Sequence, residues 1–434
     1  KYVCISKPTN TTGIHSWILH RRHLPRSSYT PLRHVCKFVS QMHCTTSHSW
    51  YAMVSSCVKQ RNGRMALDLF YKMMHQQRND IKPRVSFSLA MLKACGIAEE
   101  HREGRILHSQ LVEGGMNSDL MIGNTLIDMY AKCGLLEDSQ RVFDLMSNRD
   151  VISWNVLISG YTQYGHVHVP LQLFQLMQRD GIKPCKVTYS SILKACNNTG
   201  IIINLRIVHQ QIIKDSMESD TMIGNTLLDM YAKCSMLLEA QKTFDKLPFK
   251  DAVSWTTLIS GYVEHGYAED AFNYFEEMEK EDIYSGVVTY LCILKACGIT
   301  QARDKGLEMH MAISMKGLET EVCIINSLIT FYAKCGLLLE ACGIFQKIPI
   351  QDIVSWNALI SGYLDNGCGM EALQCFRQLQ EKGILGDSGT FVFALKACSI
   401  IGATVESQDI HTFICMKGLE TDLIISNAII EVYA

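Results

Sequence analysis

Two polar residue types recur along the chain at a fixed spacing of 101 residues, and both could take part in molecular recognition. The recurring residues are Asn124, Asn225, Asn326 and Asn427, and Asp150, Asp251 and Asp352. A carboxamide carries a hydrogen-bond donor and an acceptor on one group, which suits it to read the edge of an unpaired nucleic acid base. Self-similarity at a fixed period indicates stacked copies of one supersecondary unit. The sequence therefore predicts a series of equivalent contacts rather than one active site.

Histidines and one short motif could suggest an enzyme instead. The histidines that repeat at the same spacing are His108, His209, His310 and His411. Because they fall on successive repeats, they cannot converge on one substrate, and we expect them to serve helix packing or to lie on the surface. His101-Arg102-Glu103 matches half of a zinc deaminase signature, but no Pro-Cys-x-x-Cys follows it. No Walker motif, phosphate loop or nucleophile elbow is present, so we expect no enzyme activity, cofactor or metal.

The composition of the chain bears on its redox compartment, on membrane partners and on polyanion binding. The chain of 434 residues has 18 cysteines and no CxxC pair, so we expect free, mostly buried thiols in a reducing compartment. No apolar run approaches the roughly 18 residues of a membrane span, and we expect no membrane partner. Residues 1–67 hold ten Lys or Arg and no acid, which leaves 31 basic residues against 43 acidic ones in the rest. A nonspecific polyanion binder is therefore disfavoured.

The first 46 residues differ from the rest in composition. They are rich in Ser, Thr, Arg and His and lack acids, as organelle transit segments do. A disordered basic tail or a degenerate repeat fits the same composition. The chain starts at Lys1 rather than Met and ends at Ala434 inside a helical pattern, so we expect a fragment of a longer protein.

The elements that must position the polar residues are helices. In residues 151–162, apolar side chains recur at steps of three and four, which is the pattern of one apolar helical face. A second amphipathic segment follows Gly165 and stops before Pro184. Each repeat is thus a helical hairpin, which cannot bury its apolar face alone. We expect an all-α, right-handed α-solenoid of stacked helix-turn-helix repeats whose first helices line the concave side. The aromatic residues expected in its core are Trp154, Trp255 and Trp356, and Tyr130, Tyr231 and Tyr332.

Recurring sequence motifs divide each 101-residue period into repeats of 35, 35 and 31 residues. The expected repeats are 47–84, 85–119, 120–150, 151–185, 186–220, 221–251, 252–286, 287–321, 322–352, 353–387 and 388–422, with a truncated one at 423–434. Their openings are of the types VISWNVLISGY, YSSILKAC and IGNTLIDMYAKCG. With this alternation of lengths, residues 47–434 resemble the pentatricopeptide repeat (PPR) family, in particular its plant PLS subclass, in which long, canonical and short motifs alternate. Tetratricopeptide repeats keep a single period of 34.

The resemblance implies that each repeat reads one RNA base. It implies that the fifth and last residues select the base, while the second residue wedges beside it. The implied base-reading residues are Asn124, Asp150, Asn155, Asn225, Asp251, Thr256, Asn326, Asp352, Asn357, Asp387 and Asn427. The implied wedges are Met121, Ile152, Met222, Val253 and Val354. Lys132, Lys233 and Lys334 could reach phosphates, although a solvated lysine at a helix end is the alternative.

Four Asn–Asp combinations match the family's preference for uracil, with the aspartate fixing the orientation of the amide. They are 124/150, 225/251, 326/352 and 357/387. Three combinations depart from the standard pairs, namely Tyr51/Arg84, Asn155/Cys185 and Thr256/Gly286. Long repeats with apolar residues such as Leu89 would act as spacers. Read 5′ to 3′ along the chain, the predicted target is n-n-U-Y-n-U-R-n-U-U-n-Y.

The leading hypothesis is a sequence-selective binder of single-stranded RNA in a mitochondrion or chloroplast. In the PLS subclass this role most often specifies a cytidine for C-to-U editing. Any deaminase would then lie beyond Ala434 or act as a separate partner, since this chain carries no catalytic motif. The alternative is a protein-interaction scaffold that does not bind RNA.

Overall fold

The computed structural model describes residues 47–76, 85–115, 119–197 and 202–433, so the leader 1–46 lies outside the described residues. All regular structure in these ranges is helical. The chain divides into two compact bodies, Lys1–Asn117 and Ser118–Ala434. None of the described helices has the length and apolar content needed to cross a membrane.

The N-terminal body has four described helices, α1 (Ser47–Lys59), α2 (Gly63–Gln76), α3 (Val85–Ala98) and α4 (His101–Glu113). Helix α1 packs against both α2 and α3, and α3 also packs against α4. Trp50 and Cys95 are buried between them. These helices therefore form two stacked hairpins.

The C-terminal body continues the same pattern of paired helices. Its helices are α5 (Leu120–Lys132), α6 (Leu136–Leu145), α7 (Val151–Gln163), α8 (His168–Arg179), α9 (Lys186–Asn197), α10 (Ile202–Lys214), α11 (Thr221–Lys233), α12 (Leu237–Lys246), α13 (Ala252–Glu264), α14 (Ala268–Lys280), α15 (Val287–Thr300), α16 (Arg303–Met315), α17 (Val322–Lys334), α18 (Leu338–Gln346), α19 (Ile353–Asp365), α20 (Gly369–Glu381), α21 (Ser388–Ile401), α22 (Thr404–Met416) and α23 (Leu423–Tyr433). A short 3-10 turn, Leu318–Thr320, precedes α17.

Odd-numbered helices of this body, α5 to α23, pack side by side in sequence order, and we call them the first-helix layer. Each also packs against the even-numbered helix that follows it, where one follows. Large aromatic residues fill the space between an even-numbered helix and the next first helix. The rings of Phe244 on α12 and Trp255 on α13 meet edge to face with centroids 4.7 Å apart. The three tryptophans and three tyrosines predicted for the core are all buried, and the expected α-solenoid of helical repeats is confirmed.

Small residues let neighbouring first helices approach closely. A Cβ built on Gly261 of α13 would lie 2.7 Å from the Cβ of Ala232 on α11. Gly160 and Gly362 meet Ala131 and Ala333 in the same way, at 2.8 and 2.4 Å. Such distances leave no room for a side chain, so the recurring Ser-Gly-Tyr of the sequence marks a point of close contact between neighbouring first helices.

Three of the repeated histidines join a second helix to the first helix of the next repeat, and the most C-terminal of them, His411, has its Nδ1 3.3 Å from the Tyr433 hydroxyl. His209 Nδ1 lies 2.6 Å from the Tyr231 hydroxyl, and His310 Nδ1 lies 2.7 Å from that of Tyr332. Burial lowers the pKa of both imidazoles below the ordinary histidine value, although Glu218 and Glu319 act in the opposite direction. These histidines pack helices, as the sequence predicted.

Candidate functional site

Three of the predicted Asn–Asp combinations form hydrogen-bonded pairs between successive repeats. Asn225 lies on α11 and Asp251 at the start of α13, and Asn225 Nδ2 donates to Asp251 Oδ1 at 3.2 Å. The corresponding distances are 3.2 Å from Asn124 to Asp150 and 3.1 Å from Asn357 to Asp387. Each pair therefore joins two neighbouring members of the first-helix layer.

The aspartate of each pair is also the N-cap of the next first helix, which fixes its carboxylate. Asp251 Oδ1 accepts from the backbone N–H of Ser254 at 2.8 Å, and the Ser254 hydroxyl reaches back to the Asp251 N–H to complete a capping box. Burial would raise the pKa of Asp251, but the hydrogen bonds from Ser254 and Asn225 outweigh it and lower the pKa. The side chain is thus a carboxylate at neutral pH, and its Oδ2 takes no part in these bonds.

Asn326 departs from this arrangement. Asp352 caps α19 through the Ser355 N–H at 2.8 Å, yet no hydrogen bond joins it to Asn326 among the described residues. The buried Asn326 Oδ1 has no hydrogen-bond partner in the described part of the chain. Asn427 lies exposed on α23.

Asn155 and Thr256 have Cys185 and Gly286 at the position where other repeats have an aspartate, and the two make different contacts. Asn155 is only 9% exposed. Its Nδ2 donates to Cys185 Sγ at 3.2 Å, and its Oδ1 accepts from the Thr188 hydroxyl at 2.5 Å. Burial would raise the pKa of the Cys185 thiol, but the hydrogen bonds from Thr188 and Asn155 outweigh it and lower the pKa. Thr256 instead bonds the Thr289 hydroxyl at 2.8 Å, because Gly286 offers no side chain.

The predicted wedge residues are large apolar side chains left exposed at the start of the first helices. Their exposed fractions are 64% for Met121, 54% for Ile152, 42% for Met222, 58% for Val253 and 55% for Val354. Val187 and Val288, at the second position of two long repeats, are exposed in the same way. These two valines were not among the predicted wedges, although they occupy the same second position of the repeat.

A cavity of about 350 Å³ lies between two of these apolar residues. Ile152 and Val187 line it together with Asn155, Ser159 and Gln163. Ile152, Asn155, Ser159 and Gln163 follow one another at steps of three and four on α7, so they share one helix face. The space thus combines apolar flanks with the side-chain amides of Asn155 and Gln163.

The three candidate phosphate lysines stand at the ends of first helices and differ in their partners. Lys132 pairs with Asp128 at 2.6 Å and Lys233 with Asp229 at 2.8 Å, each one helical turn away. The corresponding position before Lys334 is Thr330, and Lys334 forms no ion pair with any described residue. Of the three, Lys334 therefore has the ammonium group least engaged by the protein.

Comparison with known proteins identifies the class to which these stacked hairpins belong. The PPR repeat family matches residues 149–198, 250–298 and 351–399, and the PPR repeat matches residues 48–76, 124–151, 225–250 and 324–351. These matches include the asparagine and the aspartate of every hydrogen-bonded Asn–Asp pair. The chain belongs to the pentatricopeptide repeat family.

Similar proteins occur in Arabidopsis thaliana. The chloroplastic pentatricopeptide repeat-containing protein At4g18520 is 34% identical over 353 residues, covering 81% of this chain and 57% of its own length. The mitochondrial protein At3g09040 is 30% identical over 387 residues, covering 89% of this chain and 37% of its own length. The chain spans about half the length of the relatives it matches. Their names confirm the expected organellar localisation and leave the organelle open.

A solved structure shares the fold. The crystal structure of the pentatricopeptide repeat protein PPR10 in complex with an 18-nt psaJ RNA element matches with a TM-score of 0.55 and 15% sequence identity. The match covers 93% of this chain and 69% of PPR10. At this identity the likeness establishes the helical-repeat fold.

Proposed function

We propose that this chain binds single-stranded RNA along its first-helix layer and selects the sequence with one base per repeat. The observation that carries the proposal is the hydrogen-bonded Asn–Asp pair, which recurs with nearly the same geometry at Asn124, Asn225 and Asn357. The PPR10 structure, which contains RNA, supports the choice of ligand.

The chemistry of the pair favours uracil. One Nδ2 hydrogen of Asn225 is used by Asp251 Oδ1, and the other is left to donate to a uracil carbonyl. The Asp251 Oδ2, outside the bonds within the protein, can accept from the uracil N3–H. Exposed apolar residues such as Val253 would pack against the base and hold its edge toward these groups.

The alternation of repeat lengths supports membership of the PLS subclass. In that organisation three of the long repeats act as spacers, because their fifth residues, Leu89, Leu291 and Val392, cannot hydrogen-bond a base. We assign the chain the role of address reader for an RNA-processing reaction, with C-to-U editing as the leading case. A deaminase would act as a further segment or as a partner.

The proposed role of Asn225 is tested by a binding cycle at the sixth nucleotide of the predicted 12-mer. The Asn225→Ala variant should bind the RNA with uracil at this position about fivefold more weakly, which is the effect of one hydrogen bond of about 1 kcal/mol. It should bind RNAs with purines there as the unmodified chain does. Equal affinities of the variant and the unmodified chain for all these RNAs would contradict base reading by Asn225, and a lack of RNA binding by both would favour the protein-interaction scaffold.

A further inference from the structure

Beyond the paired aspartate, a hydroxyl group touches the recognition amide in some repeats. The Ser254 hydroxyl lies 2.7 Å from Asn225 Oδ1 and 2.9 Å from Asp251 Oδ1. The Thr390 hydroxyl lies 2.8 Å from both Asn357 Oδ1 and Asp387 Oδ1. In each case the hydroxyl belongs to the third residue of the following first helix, which the sequence analysis did not select.

From this geometry we propose that Ser254 and Thr390 are positioning residues that set the base specificity of Asn225 and Asn357. The inference rests on the RNA-binding function proposed above. A serine or threonine hydroxyl can donate its hydrogen to the amide oxygen and thereby favour one of the two amide orientations. In that orientation Oδ1 faces the protein and the free Nδ2 hydrogen faces the RNA.

The orientation of the amide distinguishes the two pyrimidines. Uracil carries a carbonyl acceptor at the position where cytosine carries an amino donor. An outward Nδ2–H therefore complements uracil and opposes the cytosine amino group, while a flipped amide with outward Oδ1 would do the reverse. A flipped amide would place Asn225 Oδ1 against Asp251 Oδ1, so that two acceptors would meet. It would also separate Asn225 Oδ1 from the Ser254 hydroxyl that donates to it.

Repeat 120–150 provides an internal contrast. The Ser153 hydroxyl bonds Asp150 Oδ1 at 2.9 Å and completes a capping box, as Ser254 does. The buried Oδ1 of Asn124, however, has no hydrogen-bond partner within the described residues. The amide of Asn124 is thus held by the aspartate alone, while that of Asn225 is held by both groups.

The experiment measures the ratio of affinities for 12-mers with uracil or cytosine at one nucleotide. Ser254→Ala should lower the uracil-to-cytosine ratio at the sixth nucleotide by roughly fivefold, the effect of one neutral hydrogen bond. Ser254→Thr should retain the ratio, because Thr390 makes the same contact. Ser153→Ala should leave the ratio at the third nucleotide unchanged.

Ser153→Ala is also the control for stability, since both alanine variants lose the same capping-box hydroxyl. An unchanged ratio at the sixth nucleotide in Ser254→Ala, with RNA binding retained, would overturn this inference and leave the proposed function intact. An equal fall of the ratio in Ser153→Ala would also overturn it, because capping alone would then explain the effect. Failure of the unmodified chain to bind the RNA would overturn the proposed function together with the inference.

Discussion

At the scale of single residues, one carboxylate links folding to recognition. Asp251 caps α13 and holds the Asn225 amide, so the residue that we propose to select a base also sets where the next helix begins. The sequence revealed both residues through their spacing. It did not reveal the hydroxyl of Ser254, because a serine at this position also fits a simple capping box. Nor did it predict that Asn326 would lack the hydrogen bond to Asp352, because these two residues are of the same types as Asn225 and Asp251.

Two half-buried histidines, His209 and His310, make stability depend on pH. Burial lowers the pKa of His209 and His310 in the folded chain, so near pH 6 the unfolded chain binds more protons than the folded one. Stability is therefore complete above the unfolded value of about 6.5 and falls as the pH drops below it. We expect a lower denaturant midpoint at pH 5.5 than at pH 7.5. A variant with both His209→Gln and His310→Gln should show a smaller difference, and an equal difference would contradict the assignment.

At the scale of helices, the glycines of the first-helix layer illustrate what repetition can and cannot show. The sequence displays Gly160, Gly261 and Gly362 at one spacing, but the reason is the close approach of an alanine on the preceding first helix. Helix locations follow from the periodic apolar pattern. The distance between helices depends on side chains from two repeats, which the pattern of one repeat does not contain.

Gly261→Ala should destabilise the chain although alanine favours helix by about 1 kcal/mol. The added Cβ would meet the Ala232 Cβ at 2.7 Å and force α11 and α13 apart. Gly343→Ala on α18 is the matched control, because nothing lies within 4 Å of its added Cβ. Thermal unfolding should show a lower midpoint for Gly261→Ala and a higher one for Gly343→Ala. Equal shifts would show that the helix contact is unimportant.

A cavity of about 290 Å³ lies at a place where the equivalent residues 101 positions earlier pack around an aromatic ring. Phe345, Trp356, Tyr363 and Cys375 line it. One period earlier, the position of Cys375 is held by Tyr274, whose ring centroid lies 6.3, 6.5 and 5.2 Å from those of the corresponding Phe244, Trp255 and Tyr262. The smaller cysteine thus leaves the space that an aromatic ring fills elsewhere.

Cys375→Tyr should therefore stabilise the C-terminal body, by about 1 kcal/mol for the apolar area removed from water. The expected observation is a higher denaturant midpoint with an unchanged slope. Tyr274→Cys should lower the midpoint, because it creates the same space one period earlier. A lower midpoint for Cys375→Tyr would show that the cavity cannot accept the ring.

At the scale of the whole molecule, charge limits how the chain can hold RNA. Residues beyond 67 carry 31 basic and 43 acidic side chains, and Lys132 and Lys233 are engaged by neighbouring aspartates. In the proposed RNA complex, phosphate neutralisation would then supply only a small part of the affinity. The excess of acidic residues is visible in the composition, whereas the ion pairs of Lys132 and Lys233 are visible only in the structure.

The salt dependence of RNA binding should accordingly be shallow. Three lysines on a single strand give a slope of log K against log salt of about −2. Lys334→Gln should reduce this slope more than Lys132→Gln, because Lys334 forms no ion pair within the described chain while Lys132 is paired with Asp128. Titrations from 50 to 300 mM salt would measure both slopes. A slope steeper than about −5 would point to a nonspecific basic surface.

The central claim is that the layer of first helices reads RNA bases through repeated Asn–Asp pairs. The most direct test is the affinity of the unmodified chain for the predicted 12-mer, compared with the same RNA in which every uracil is replaced by a purine. We expect at least a tenfold weaker complex with the purine RNA, since each position contributes roughly 1 kcal/mol. Equal affinity for the two RNAs would contradict it.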